Sequence, residues 1–374
     1  MVATPITAYA CCNALGASVT EVVEATMAGA SGLVEDRTLD PEGRLRFGKA
    51  PGVEALPFSL AAFEGATARL LAHVAKELIE PVKVASQRWS PDRVAVVLGV
   101  DSPNFEALRT AVERSISLDH AALDARGPGG LATLLSTVLE TRGPAFTVSA
   151  EGASGALAVA TAHRLIEADL VDAAIVGGAG TLSAPTIAAW ESRRLLARGV
   201  ARPLSGERQG ACIGEGAALL LIERHGDAFV EIRGAGEARG EQGIDASIGL
   251  ALGQARVEPS RAGYVHMHGL GTITHDFAES EAVVRVFGED MIVAATQGAT
   301  GCIHGAAGAS ELVLAAAALE DGRIPPTVGC EPVDAALRLR PSARARELEH
   351  DLVVLHSASL CGRHAAIVLG ASDS

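Results

Sequence analysis

Val148-Ser149-Ala150-Glu151-Gly152-Ala153-Ser154-Gly155 is the stretch on which the reading of this chain turns. Ala145–Ala150 is a short run of strand character, and Ala153–Ile166 is an Ala-rich run of helical character. The octapeptide is therefore a strand-to-helix junction. Moving outward, Asp172–Gly180 (DAAIVGGAG) and Arg93–Val100 (RVAVVLGV) read as buried strands. Ile6–Ala10 is a short apolar strand, Val19–Met27 has helical periodicity, and Ala61–Ile79 reads as a longer helix.

The second half repeats the theme. Tyr264–His268 and Met291–Thr296 read as short strands, Phe277–Phe287 and Ala306–Leu319 as helices, and Leu352–Ser357 with Ala365–Leu369 as a closing hairpin. Apolar strands separated by helices predict an α/β protein whose sheets are covered on both faces. The echo between the halves divides the chain into residues 1–225 and 226–374, with the junction near Arg224–Phe229.

The composition narrows the function classes. Hydrophobic residues make up 48% and charged residues 20%, which excludes a disordered chain. Aromatics are only 3%, so Ala, Gly, Val and Leu must fill the core. The net charge of −14, with no Lys/Arg block, argues against nucleic acid as a partner. No apolar run reaches the roughly 18 residues of a membrane span, and MVATPITAYACC lacks the pattern of a signal peptide. Cys11, Cys12, Cys212, Cys302, Cys330 and Cys361 have neither disulfide nor zinc spacing, which predicts reduced thiols and a cytoplasmic protein.

Five further segments fall in order around the opening stretch. They are DAAIVGGAG (Asp172–Gly180), RPLSGERQGACIGEGAALLLIER (Arg202–Arg224), HGLGTITHDFAESEA (His268–Ala282), TQGATGCIHGAAGASE (Thr296–Glu311) and HSASLCGRHAAIVLG (His356–Gly370). Together they resemble the β-ketoacyl synthase family over essentially the whole chain. The resemblance implies a thiolase-like fold, with two related βα halves in an α-β-α-β-α layering. It also implies a chemistry. A cysteine at the strand-to-helix turn takes an acyl chain from a carrier-protein thioester, two histidines stabilise the enolate of a decarboxylating malonyl thioester, and a lysine and a glutamate support them.

This sequence departs from that pattern where the chemistry lies. Ser154 and Gly155 fix the register, so the cysteine position is Gly152, with Glu151 beside it. The first histidine is His268, and Asp276 and Glu279 match the family's acids. The lysine position is Gln297, the second histidine position is Cys302, and Glu311 is kept. The two aromatic gate positions are Ala211 and, in the closing loop, Leu360, followed by Cys361. Residues 238–262 offer only a short Gly-, Ala- and Gln-containing stretch, read as a reduced entrance.

Simpler readings stand beside these. His268 is expected as a buried, hydrogen-bonded residue. His266, His268 and His275 are a conceivable metal cluster, but the resemblance accounts for His268 and Asp276 without metal. Glu151 is open as a general base or as a cap for the following helix, and Cys302 as a relocated nucleophile or an inert thiol. The GGAG at 177–180 is a packing element, because no Lys-Ser/Thr follows it.

Within the family, these losses resemble the chain length factor of type II polyketide or polyene synthases, a subunit that does not condense by itself. The resemblance implies an active ketosynthase as heterodimer partner, an acyl carrier protein as client, and neither cofactor nor metal. The dimer surface is expected along Ala145–Ala150 and the helix Gly129–Thr141. Leu118, Leu131, Ala132, Leu134, Leu135 and Phe146 are expected to shape the partner's acyl tunnel. The alternatives are a malonyl-carrier-protein decarboxylase that initiates chains, and a scaffold that binds acyl thioesters.

Overall fold

The computed structural model describes residues 3–101, 112–113, 120–127, 129–240 and 242–372. The N-terminal half contributes five strands to one sheet: β1 (Thr4–Cys12), β2 (Val94–Val100), β3 (Ala145–Val148), β4 (Ala173–Gly180) and β5 (Gly216–Glu223). Every residue of β2, β4 and β5 is buried, as their unbroken apolar sequence requires. Their order is β3-β2-β4-β5-β1, parallel from β3 to β4 and antiparallel thereafter.

The C-terminal half contributes β6 (Val230–Arg239), β7 (Tyr264–His266), β8 (Ile292–Ala294), β9 (Arg340–Pro341), β10 (Leu352–Ala358) and β11 (Arg363–Ala371). The order β8-β7-β10-β11-β6 repeats the first half in sequence and sense, with β9 added outside β8. Three pairs, Thr4↔Ile232, Pro5↔Glu231 and Ile6↔Val230, join the halves into one eleven-stranded sheet.

Seven helices matter here: α1 (Val19–Met27), α2 (Ala66–Trp89), α3 (Gly130–Val138), α4 (Ser154–Glu167), α5 (Gly243–Ala255), α6 (Ile273–Phe287) and α7 (Ala307–Asp321). Helices α4 and α7 lie in the centre and share one core with strands of both halves, among them Val97, Val176, Tyr264 and Leu355. They pack closely because small residues meet. A β-carbon on Gly155 would lie 2.7 Å from the Ala309 nitrogen, and one on Gly308 would lie 2.9 Å from Ala156 Cβ. The scarcity of aromatics is thus a packing requirement of the central layer.

Helices α2 and α3 cover the outer face of the first half, where Leu71, Leu78, Leu131 and Leu135 meet Val96 and Leu219. Helices α5 and α6 do the same for the second half through Ile248, Ala251 and Val283. The layers run helix, sheet, helix, sheet, helix, as the thiolase-like reading implies.

Two elements differ from the sequence reading. Residues 238–262, for which the sequence reading gave no element, hold the 13-residue helix α5. Its glycines lower helix propensity, but Ile244, Ile248 and Ala251 recur on one buried face. Gly236 of β6 receives that face closely, a β-carbon there lying 2.7 Å from the Ala251 nitrogen. Helix α2 runs on to Trp89 because Pro81 is accommodated within it rather than ending it.

Candidate functional site

Gly152 lies in a single turn, Glu151–Ala153, between β3 and α4. Ser154 Oγ accepts the Ala150 N–H at 2.8 Å and donates to the Glu151 carbonyl at 2.7 Å. Glu151 has φ 50°, a left-handed conformation costly for a side-chain-bearing residue, so the turn is held under strain. Its carboxylate does not cap α4. It accepts the Cys361 N–H at 3.2 Å and lies 3.6 Å from Arg193.

Three loops converge on this turn. His268 follows β7, and its backbone N–H donates to Glu279 Oε1 at 2.7 Å. Gly269 N–H donates to Glu279 Oε2 at 2.9 Å, and Gly271 N–H to Asp276 Oδ1 at 2.9 Å. The two acids of α6 therefore shape the His268 loop, and burial raises Asp276 to about 6 despite these donors. The His268 ring points at Gly152. A β-carbon on Gly152 would stand 2.9 Å from His268 Cε1 and 2.8 Å from the Ala358 carbonyl oxygen.

Behind His268, Gln297 Nε2 reaches His268 Nδ1 at 3.0 Å and Glu311 Oε1 at 2.9 Å. An amide nitrogen has two hydrogens, so one goes to each acceptor. The neutral His268 then carries its proton on Nε2, the atom 3.1 Å from the missing β-carbon. Burial opposes the imidazolium, but Glu311, Glu279 and Asp276 outweigh it, and the His268 pKa rises.

Cys302 is buried where a second imidazole was expected, and burial raises its thiol to about 12, far from a thiolate at neutral pH. The nearest imidazole on its loop is His304, whose ring stands edge-on to Trp190 at 5.3 Å. Trp190 is a residue the motif reading missed. It shares an apolar cluster with Ala211, Cys302 and Leu270, and Leu360 packs against that cluster. Its signal in the sequence was rarity, as one of only two tryptophans.

The space at Gly152 has nearly closed. A pocket of about 10 Å³, bounded by Gly152, Trp190, His268, Cys302 and Leu360, holds about one water. Adjoining it, with His268, His275 and Leu360 in both walls, is a cavity of about 480 Å³ also lined by His356, His364 and Cys361. Cys361 is exposed, and the charge of Glu151 raises its pKa. His356 and His364 were not singled out from the sequence, and His275 was weighed there only as part of a conceivable metal cluster. His356 Nδ1 lies 2.5 Å from Glu279 Oε1, and its Nε2 lies 3.3 Å from His364 Nδ1.

The expected tunnel residues divide. Leu118 lies outside the described residues. Leu131, Ala132, Leu134 and Leu135 are wholly buried in this chain's own core against α2, which corrects the expectation that their side chains reach a partner. The exposed positions of α3 are instead Thr133 and Thr137. Phe146 is half-buried on β3, the last strand of the sheet on that side among the described residues.

Comparison with known proteins gives a consistent picture. The family model for the N-terminal domain of β-ketoacyl synthases matches residues 50–228, and that for the C-terminal domain matches residues 232–331. Nodulation protein E of Rhizobium leguminosarum bv. trifolii is 29% identical over 285 residues, covering 70% of this chain and 71% of the relative. The 3-oxoacyl-[acyl-carrier-protein] synthase 2 of Coxiella burnetii is 28% identical over 299 residues, covering 71% and 70%. Among solved structures, the ketosynthase ApeO in complex with its chain length factor ApeC, from Xenorhabdus doucetiae, superposes with a TM-score of 0.90 at 29% identity, covering 99% of this chain and 98% of that one. The ishigamide ketosynthase/chain length factor superposes with a TM-score of 0.89 at 24% identity over 100% of both chains. Among the described residues, no helix is long and apolar enough to cross a membrane.

Proposed function

Because the chain belongs to the β-ketoacyl synthase family, we propose that it serves as the non-condensing partner of an active ketosynthase and shapes that enzyme's acyl tunnel. The observation that carries this reading is the state of position 152. Gly152 supplies no nucleophile, and the room for one is taken by the His268 ring and the Ala358 carbonyl. A family that builds an acyl-enzyme cannot do so here.

What supports a ketosynthase as the partner is the likeness to a ketosynthase/chain length factor complex. The surface that suits it is the end of the sheet at β3, the last strand on that side among the described residues, with its half-buried Phe146. Phe146 replaces the buried leucines of α3 as the residue that sets product length. The reading carries with it a cytoplasmic location, an acyl carrier protein as client and a division of the chain near residues 225 and 226. A chain-initiating decarboxylase fits less well, because Cys302 offers no imidazole to share the enolate charge.

Co-expression with a ketosynthase that has an intact Cys-His-His set tests this. A 1:1 complex that elongates carrier-bound chains is expected. An exclusive homodimer would support the acyl-thioester scaffold instead.

A further inference from the structure

Three histidines on the 480 Å³ cavity, His275, His356 and His364, play no part in a tunnel-shaping role. Two of them form a chain with Glu279. The Glu279 carboxylate accepts the backbone N–H groups of His268 and Gly269, so it is held as an acceptor. Burial alone would raise its pKa, but His356, His268 and the Gly269 N–H bring it below its ordinary value. His356 Nδ1, 2.5 Å from Oε1, must then be the donor. In the neutral ring Nε2 is left as acceptor, and the hydrogen between it and His364 Nδ1 comes from His364. His364 Nε2 is therefore a lone pair. The His364 ring lies in the cavity wall, stacked on His356 at 18° with centroids 5.4 Å apart.

The surroundings keep charge off His364 itself. Its ring packs against Gly243 at the start of α5, where a β-carbon would collide with it and where the helix dipole is positive. Burial and His356 push its pKa down to about 4. A proton accepted at Nε2 need not stay there. His364 Nδ1–H passes to His356 Nε2, and the charge comes to rest beside the Glu279 carboxylate. The chain separates the atom that takes the proton from the site that stores it. Among the described residues, no group of three or more His, Cys, Asp or Glu is arranged to hold a metal, so these histidines are not a ligand set.

We propose that the cavity is a hydrolytic site for acyl thioesters, with His364 as general base backed by His356 and Glu279. It rests on the reading that a carrier-bound acyl chain is presented here. His364 Nε2 takes a proton from water, and the water oxygen bonds to the thioester carbonyl carbon. As that bond forms, the carbonyl electron pair moves onto the carbonyl oxygen. The C–S bond then breaks, the relay returns its proton to the departing sulfur, and a carboxylic acid and a thiol result. Such an activity would clear chains that the partner cannot extend.

The test uses the purified chain, alone and with its ketosynthase, and hexanoyl-N-acetylcysteamine in oxygen-18 water. Many turnovers of labelled hexanoate are expected, falling about 100-fold in His364→Ala and partly restored by added imidazole. Release at the buffer rate, equal release by His364→Ala, or a loss that imidazole does not relieve in a folded variant would each overturn the proposal. If His364→Ala does not fold, His364→Gln is measured instead, and undiminished release again overturns it. A complex with the ketosynthase but no hydrolysis removes only this inference. Hydrolysis without a complex removes only the partnership.

Discussion

Glu311 and His268 stand 3.8 Å apart, and the amide of Gln297 donates to both. In the family pattern a lysine holds this place, so a neutral donor now separates a buried acid from a buried imidazole. Among the described residues, Gln297 Oε1 and Glu311 Oε2 find no hydrogen-bond partner, which marks the arrangement as held by packing rather than by full satisfaction.

Replacing Gln297 with Met keeps the volume but removes both donated hydrogen bonds. Glu311 then loses its donor in the interior. A destabilisation of about 3 kcal/mol is expected, read as a lower urea midpoint with an unchanged slope. An unchanged midpoint would mean that Glu311 is satisfied by another group.

Gly152→Cys tests whether one residue separates this chain from a condensing enzyme. The new β-carbon would press on Ala358 O and on His268. A loss of about 1–3 kcal/mol is expected from overpacking, with no acyl adduct by intact mass spectrometry after incubation with an acyl-carrier thioester. Stoichiometric acylation would sink the idea that the site has closed.

Phe146 gives a test of product length in the ketosynthase complex. Phe146→Ala should lengthen the longest product, and Phe146→Trp should shorten it, as read by chromatography of released chains. Identical product profiles would remove this residue from the ruler.

Acid sensitivity follows from His304. Burial pushes its imidazole from an ordinary 6.5 down to about 4. Between those values the unfolded chain binds a proton that the folded chain refuses. The stability involved is fully present above pH 6.5 and is lost as pH falls through the window. Asp101, 3.9 Å away and raised to about 6 by burial and Glu151, works in the opposite direction. The difference between wild type and His304→Leu isolates the histidine. The variant should lose less stability than wild type on acidification, and parallel losses would show that His304 is protonated in the folded protein.

The central strands were legible because continuous apolar runs such as Val94–Val100 have few other fates. The strand-to-helix turn at Gly152 was legible because a strand-like run ends before it and an Ala-rich helical run follows. Helix α5 was not, since its glycines mask a face that only β6 reveals. The burial of Leu131 and Leu135 against α2 was missed for a related reason. Periodicity shows that a helix has an apolar face, not which neighbour covers it. The His356–His364 contact is a diagonal neighbour across the β10–β11 hairpin, fixed by the pairing Ala358↔His364. That register belongs to the turn, and eight residues of sequence do not announce it.

The place of β3 at the end of the sheet also has a consequence for supply. Among the described residues the sheet ends there, with Phe146 half-buried, so it is a surface that a second chain can cover. Copies made in excess of their partner would be liable to recruit one another, and quality control would remove them. The abundance of this protein in a cell should therefore follow that of its partner, falling when the partner is deleted even if its own messenger is untouched.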